Sequence, residues 1–306
     1  PASSGSDLHT VGVEVELVAP SGASRRTLAE AFGEPQTCWH AESEPSRVPG
    51  MGVFYNLGLG FEVPGVVRCV DDLTLQRDLD KEAPAKPGWY RLVSDEVRLL
   101  ELARRHCQAG APIEEVLDPL ARLFGSTTTA ASGLIRLADE EGRPVAMAAP
   151  LPGERERACE LITPPMGEER EALLGRLLEG ARDQGFVPAV EGATHIHLDA
   201  AHLRDPARLQ TFARGWLELE PSLPRNHHHR RVGPWSEELS MVLFSADFAD
   251  LPWPVAAARL RGVTTKYCDL NLRGLAHGGP TVELRVLPAM LDHEVILEVA
   301  ERFSAL

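Results

Sequence analysis

Four short stretches of this chain alternate aliphatic with reactive residues at a spacing of two: Val13-Glu14-Val15-Glu16-Leu17, His195-Ile196-His197-Leu198, Asp269-Leu270-Asn271-Leu272 and Val282-Glu283-Leu284-Arg285-Val286. Successive side chains of a β-strand point to opposite faces. Each stretch therefore sends its aliphatic residues into a core and its carboxylates, imidazoles and guanidinium to the other side. Carboxylates crowded on one sheet face resist ionising unless cations neutralise them or water solvates them. That polar face is the candidate active site.

Around these strands the pattern predicts further elements. A strand over 11–18 runs into the turn signal Pro20-Ser21-Gly22 and a helix from Arg26 to Phe32. Residues 34–64, rich in Pro and Gly, read as loops with one or two short strands, followed by a strand over 66–70 and a charged loop over 81–88. Ser94-Asp95-Glu96, with acids first and Arg104-Arg105-His106 last, predicts a capped helix, and Pro112 opens another to about Phe124. Two strands flank Glu141-Gly142, and helical periodicity over 168–183 ends at Gly185. A helix over 206–218 precedes an irregular region through Pro254 with room for one short helix. Strands over 267–273 and 281–287 and a helix over 292–303 complete the chain. Strands and helices do not alternate strictly, and the reactive strands have one polar face. The expected class is α+β, an antiparallel or mixed sheet with helices on one side.

At 306 residues the chain has length for one large α+β domain or two smaller ones. A formal charge of −14 disfavours nucleic acid as a partner, because that affinity comes from Lys and Arg neutralising phosphates, but leaves room for a small nucleotide held by metal. Five scattered cysteines without a C-x-x-C spacing argue against a disulfide framework and a thiolate zinc site, so a reducing cytoplasm is the expected home. The sequence has no apolar run of membrane-spanning length, and residues 1–10 read as a disordered tail without signal-peptide character.

Each reactive motif also has a plain reading. Glu14 and Glu16, about 7 Å apart along a strand, could be a solvated outer face. His195 and His197 could share a metal, or place one ring on a metal and the other on a substrate; they could equally be structural. Glu283 beside Arg285 is an ordinary surface ion pair, or in a nucleotide enzyme a cation ligand beside a phosphoryl clamp. Glu160, an acid in an apolar strand, needs a partner if buried and none at an exposed edge. The run Arg225-Asn226-His227-His228-His229-Arg230-Arg231 is a poor metal site, since three consecutive histidines cannot face one ion from a regular element. Its arginines, Arg225, Arg230 and Arg231, suit phosphate oxygens. The sequence carries no Walker-type loop, dinucleotide fingerprint or nucleophile elbow.

Taken in order, these motifs resemble the amidoligase family, carboxylate-amine ligases sharing the catalytic fold of glutamine synthetase and glutamate-cysteine ligase. The resemblance rests on Gly12-Val13-Glu14-Val15-Glu16, Glu160-Leu161-Ile162-Thr163-Pro164-Pro165, Thr194-His195-Ile196-His197-Leu198-Asp199, Pro221 to Arg231, Asn271-Leu272 and Thr281-Val282-Glu283-Leu284-Arg285-Val286. It covers 11–20 and about 155–305, and leaves roughly 34–154 as a divergent insert or lid in a single domain over 11–306. It implies a curved, mainly antiparallel sheet with helices on its convex side, whose concave face holds ATP and Mg²⁺, with Mn²⁺ as a substitute. Glu14, Glu16, Glu160, His197 and Glu283 become cation ligands. Arg285, Glu283 and Glu16 become catalytic, with Arg285 facing the transferred phosphoryl group. His195 and Asn271 become either outer-shell partners of the cation ligands or nucleotide contacts, and Arg225, Arg230 and Arg231 nucleotide contacts. The implied reaction joins a carboxylate substrate to an amine substrate, either of which could be a peptide or protein, through an acyl phosphate, with no nucleic-acid or membrane partner. Three rivals remain at this stage. They are a metal-dependent hydrolase using the His-x-His strand, a non-catalytic binding member of the same fold, and phosphoryl transfer to another acceptor such as a guanidino group.

Overall fold

Backbone hydrogen bonding in a computed structural model resolves the alternating stretches into antiparallel strands, and residues 10–41, 46–48, 51–226 and 233–306 are described. The expected tail at 1–9 and the pair Arg230 and Arg231 lie outside the described residues. The chain divides into two compact units, Pro1–Leu17 with Leu161–Leu306, and Val18–Glu160.

The first unit opens with β1 (Val11–Val18). The chain then builds the second unit, beginning with α1 (Arg25–Glu30), one residue from its expected start, where Ser24 and Thr27 form a capping box. β2 (Gln36–Ala41), β3 (Ser46–Val48) and the 13-residue β4 (Met51–Val63) occupy the segment expected as loops. That expectation is corrected. Glycine lowers strand propensity, yet here it admits close neighbours: a Cβ on Gly60 would stand 3.0 Å from Val70 and 3.1 Å from Cys38 Sγ.

β5 (Val67–Val70) and β6 (Ala85–Ser94) follow, so the charged loop gives way to strand at Ala85. α2 (Val97–His106) matches its expectation, except that Ser94 does not cap it. Its hydroxyl donates to Val145 O, and Glu96 sits at the N-cap without a side-chain cap bond. The next helix shrinks to α3 (Asp118–Leu123), with hydrogen-bonded turns from Pro112 to Leu117. β7 (Thr128–Ala131) was not expected; β8 (Leu134–Ala138) and β9 (Pro144–Pro152) flank the Glu141-Gly142 turn, and β10 (Ala158–Ile162) ends the unit.

Within the second unit the strand order is β10-β5-β4-β6-β9-β8-β7, with β2 and β3 paired to β4. β4 pairs antiparallel with β5 and β6, and β9 pairs antiparallel with β6 and β8. Leu57, Leu59, Tyr90, Leu92, Ile135 and Ala148 present one sheet face to Leu100, Ala103, Leu117 and Leu120 of α2 and α3, forming the core of this unit. Burying each such leucine contributes about 1.5–3 kcal/mol relative to exposure.

Returning to the first unit, α4 (Arg170–Asp183) ends where Gly185 takes φ +78°, a left-handed stop that a side chain would strain. β11 (Val187–Pro188) leads to β12 (Ala193–Asp199), and Asp205 caps α5 (Pro206–Leu219) with Pro206 in its first turn. The irregular region holds one short helix, α6 (Glu237–Leu243), as expected, and α7 (Trp253–Arg261) begins at its end, in a stretch for which the sequence predicts no element. β13 (Leu270–Asn271), α8 (Arg273–Ala276), β14 (Thr281–Pro288) and α9 (His293–Ser304) close the chain, with Asp292 accepting from Val295 N at the last N-cap.

Strands here run in the order β13-β14-β12-β1, all antiparallel. Val13, Val15, Ile196, Leu198, Val282, Leu284 and Val286 are buried as their alternation requires. α9 packs on β12, α4 and α5, and its Phe303 meets Phe212 and Trp216 at ring-centroid distances of 5.4 and 5.7 Å. The molecule is α+β with an antiparallel sheet, as the sequence predicts.

Candidate active site

Register builds the site. In an antiparallel pair, directly opposed residues share a face. β1 and β12 align Glu14 with His195 and Gly12 with His197. On its other edge β12 aligns His197 with Glu283 of β14, and β13 aligns Asn271 with Glu283. Four strand segments separated by up to 270 residues thus deliver their reactive side chains to one face of the first unit.

Distances make the cluster tight. His195 Nδ1 is hydrogen-bonded to Glu14 Oε2 at 3.2 Å and stands 3.5 Å from Glu283 Oε1. His197 Nε2 lies 3.2 Å from Glu14 Oε1 and 3.9 Å from Glu283 Oε1. Arg285 is ion-paired with Glu283 on its own strand, and Asn271 Nδ2 donates to Glu283 Oε2 at 2.7 Å. Glu16 is 5 % exposed and accepts from Ala193 N at 2.9 Å through Oε2, while its Oε1 lies 3.8 Å from His195 Nε2.

Burial and charge work against each other here. Burial alone would raise the Glu14 carboxyl, but His195 and His197 outweigh it and hold the group well below the usual carboxylate range. Burial likewise presses the Glu283 carboxyl upward, and His195, Arg285 and His197 reverse the sign. Burial lowers the His195 imidazole, helped by Arg285. At His197 the same desolvation is overcome by Glu14 and Glu283, and its pKa rises. Arg285 is pushed up against its own desolvation by Glu283 and its neighbours.

The residues fit a divalent cation. Glu14, His195 and Glu283 each offer a donor atom, all within 4.8 Å of one another. His197 Nε2, which faces Glu14 and Glu283, is buried without a hydrogen-bond partner, a cost that a ligand there would relieve. Carboxylate oxygens with one imidazole suit Mg²⁺ or Mn²⁺ better than a soft metal.

The other expected residues fall as follows. His195, expected as an outer-shell partner or a nucleotide contact, belongs to the three-residue group, and His197 touches the same carboxylates. Asn271 points its amide at Glu283. Glu160 stands half-buried on β10, the last residue of the second unit. Arg225 is ion-paired to Glu220 and, at 2.6 Å, to Asp269, both acids nearly buried.

Sequence reading missed the supports. Asn226 donates its side chain to Gly192 O and its backbone N–H to Val286 O, tying the loop to β14. Gly192 leaves no room beside Glu16, since a Cβ there would stand 2.9 Å from the Glu16 Cβ. The adjoining acid Asp269 is visible in the sequence as part of the third alternating stretch, but its partner is not.

A sheet face that gathers carboxylates and imidazoles within ligating reach of one another, with a guanidinium alongside, is a candidate metal centre. The family described as "Putative amidoligase enzyme" matches residues 8–239, and the chain belongs to that family. The match takes in Glu14, Glu16, Glu160, His195, His197 and Arg225. It ends before β14, so Glu283 and Arg285 enter the site through geometry. No curated protein and no solved structure matches the chain.

Proposed function

We propose that this protein is an ATP- and Mg²⁺-dependent carboxylate-amine ligase with a glutamine synthetase-like catalytic fold. It would join a carboxylate substrate to an amine substrate through an acyl phosphate. The observation that carries the reading is the meeting of Glu14, His195 and Glu283 beside Arg285, in a member of the amidoligase family.

Glu14, His195 and Glu283 would hold the cation, with Glu16 and His197 as further ligands the family resemblance implies. When bound, the cation supplies charge neutralisation on the β- and γ-phosphates. Arg285, fixed by Glu283, presents its guanidinium to the transferred phosphoryl group and stabilises charge developing there. Asn271 Nδ2 holds the Glu283 carboxylate in place. Excluding water protects the acyl phosphate until the amine attacks its carbonyl carbon and phosphate leaves.

The hydrolase alternative belongs to barrels of parallel strands, whereas β12 is antiparallel to both β1 and β14. The test is ADP release with Mg²⁺-ATP across panels of carboxylates and amines, with mass detection of the amide. ADP and amide should form together, and Glu14→Gln, Glu283→Gln and Arg285→Ala should abolish both. Full activity in any of the three removes that residue from its role. Nucleotide-independent hydrolysis of an amide would replace the ligase reading.

A further inference from the structure

A second site is suggested by the second unit alone. A cavity of about 410 Å³ opens there between β3, β4, β6 and the loop after β5, within the size range of small-molecule pockets. Phe54, Leu79 and Leu151 give it an apolar lining, and Lys81, Arg91, Arg155 and Asp80 bring charged groups to its wall.

The cations are not equivalent. Arg155 is locked: it donates to Asp71 Oδ1, Leu75 O and Asp72 O at 2.7–2.8 Å, and its charge is matched by Asp71. Arg91 places its guanidinium 6.0 Å from the Phe54 ring centroid, and Lys81 stands exposed at the rim. Beneath Ser46, which lines the cavity, Asn56 is 1 % exposed and donates to Ser46 Oγ at 2.8 Å. Its Oδ1 has no hydrogen-bond partner, so the polar wall here is incomplete.

We propose that this cavity binds a small oxyanion-bearing molecule with a flat apolar body. Its carboxylate or phosphate would be held by Arg91 and Lys81, and its body laid on Phe54. Arg suits either anion by bidentate hydrogen bonding. The site lies on residues the ligase reading does not use and stands or falls independently of it.

Calorimetric titration of the full chain tests this with three probes: hippurate, phenyl phosphate and neutral hippuramide. Saturable binding of hippurate or phenyl phosphate is expected, with the preferred probe identifying the anion. Lys81→Ser and Arg91→Gln should each weaken it by about tenfold or more, and hippuramide should not bind. Lys81 is exposed, so its variant reports on the site even if Arg91→Gln fails to fold. Absence of binding by both anions, equal binding by hippuramide, or unchanged affinity in Lys81→Ser would overturn the proposal.

Discussion

Two clusters of buried acids, one in each unit, are balanced in opposite ways. In the second unit, Asp71 is 1 % exposed and has a permanent cation beside it, Arg155 at 2.7 Å, while the fully buried Arg25 donates to Leu59 O and Arg155 O and stacks over Trp89. In the first, Glu14, Glu16 and Glu283 share two titratable imidazoles and one guanidinium, Arg285. Asp71 is thus matched by the chain itself, whereas three carboxylates around His195 share a single permanent cation, the shortage that the proposed divalent ion would relieve.

The largest effect should come from breaking the open cluster. Arg285→Ala should lower ligase turnover by about a thousandfold, the cost of losing a donor to developing charge, with thermal unfolding of the variant close to that of the parent. Steady-state ADP release under saturating Mg²⁺-ATP measures the first, and calorimetry the second. An active variant would mean that Arg285 merely neutralises Glu283.

Breaking the closed pair should do the reverse. Asp71→Asn leaves the Arg155 guanidinium largely buried against a neutral amide and should cost about 3 kcal/mol in urea unfolding, whether or not Mg²⁺ is present. Glu283→Gln offers the contrast. It should abolish Mg²⁺-induced stabilisation, because ligand loss weakens metal binding beyond the about 10–100-fold typical of outer-shell changes. If Mg²⁺ fails to stabilise the parent protein, the open-cluster reading is wrong.

The contrast also explains what could be read from the sequence. β1, β12 and β14 announce themselves by strict alternation, and α1, α4, α5 and α9 by caps and periodicity, because those signals lie within a few residues. β4 was hidden because Gly58 and Gly60 read as breakers, although they accommodate Asp71 and Val70 on neighbouring chain. The helix expected from Pro112 starts only at Asp118, since Pro at a first turn permits a helix without requiring one. Within the site, residue types were legible but partners were not. That Glu14 faces His195 and that Arg225 binds Glu220 and Asp269 are facts of long-range register and packing. Lys81 and Arg91 carried no pattern at all, since a cavity assembled from a loop and two strands leaves no periodic trace.

A smaller effect should sharpen the comparison without breaking either cluster. A Cβ on Gly192 would approach Ala189 Cβ to 2.7 Å and Glu16 Cβ to 2.9 Å, closer than atoms pack, so the backbone or Glu16 must move. Gly192→Ala should cost about 1–3 kcal/mol as overpacking and weaken Mg²⁺ stabilisation by displacing Glu16. A variant that loses stability but keeps its Mg²⁺ response would show that Glu16 is held for packing alone.

The smallest effect belongs to charge that neither unit buries. On α2 of the second unit, Arg104 and Arg105 reach Glu101 at 2.7 and 2.9 Å on the surface, and their hydrogen bonds draw the Glu101 carboxyl from 4.5 down to about 2. A carboxyl lowered on folding adds stability that is present above its unfolded pKa and is lost as pH falls through its folded value. The parent should therefore melt slightly above Glu101→Gln at neutral pH and low salt. The two curves should converge between about pH 4.5 and 2, and again as salt screens the exposed pairs. Calorimetric melting across that range measures the gap. A gap that survives acid and salt would mean that Glu101 stabilises α2 through packing rather than charge, and exposed pairs would then join Asp71–Arg155 as structural elements of the second unit.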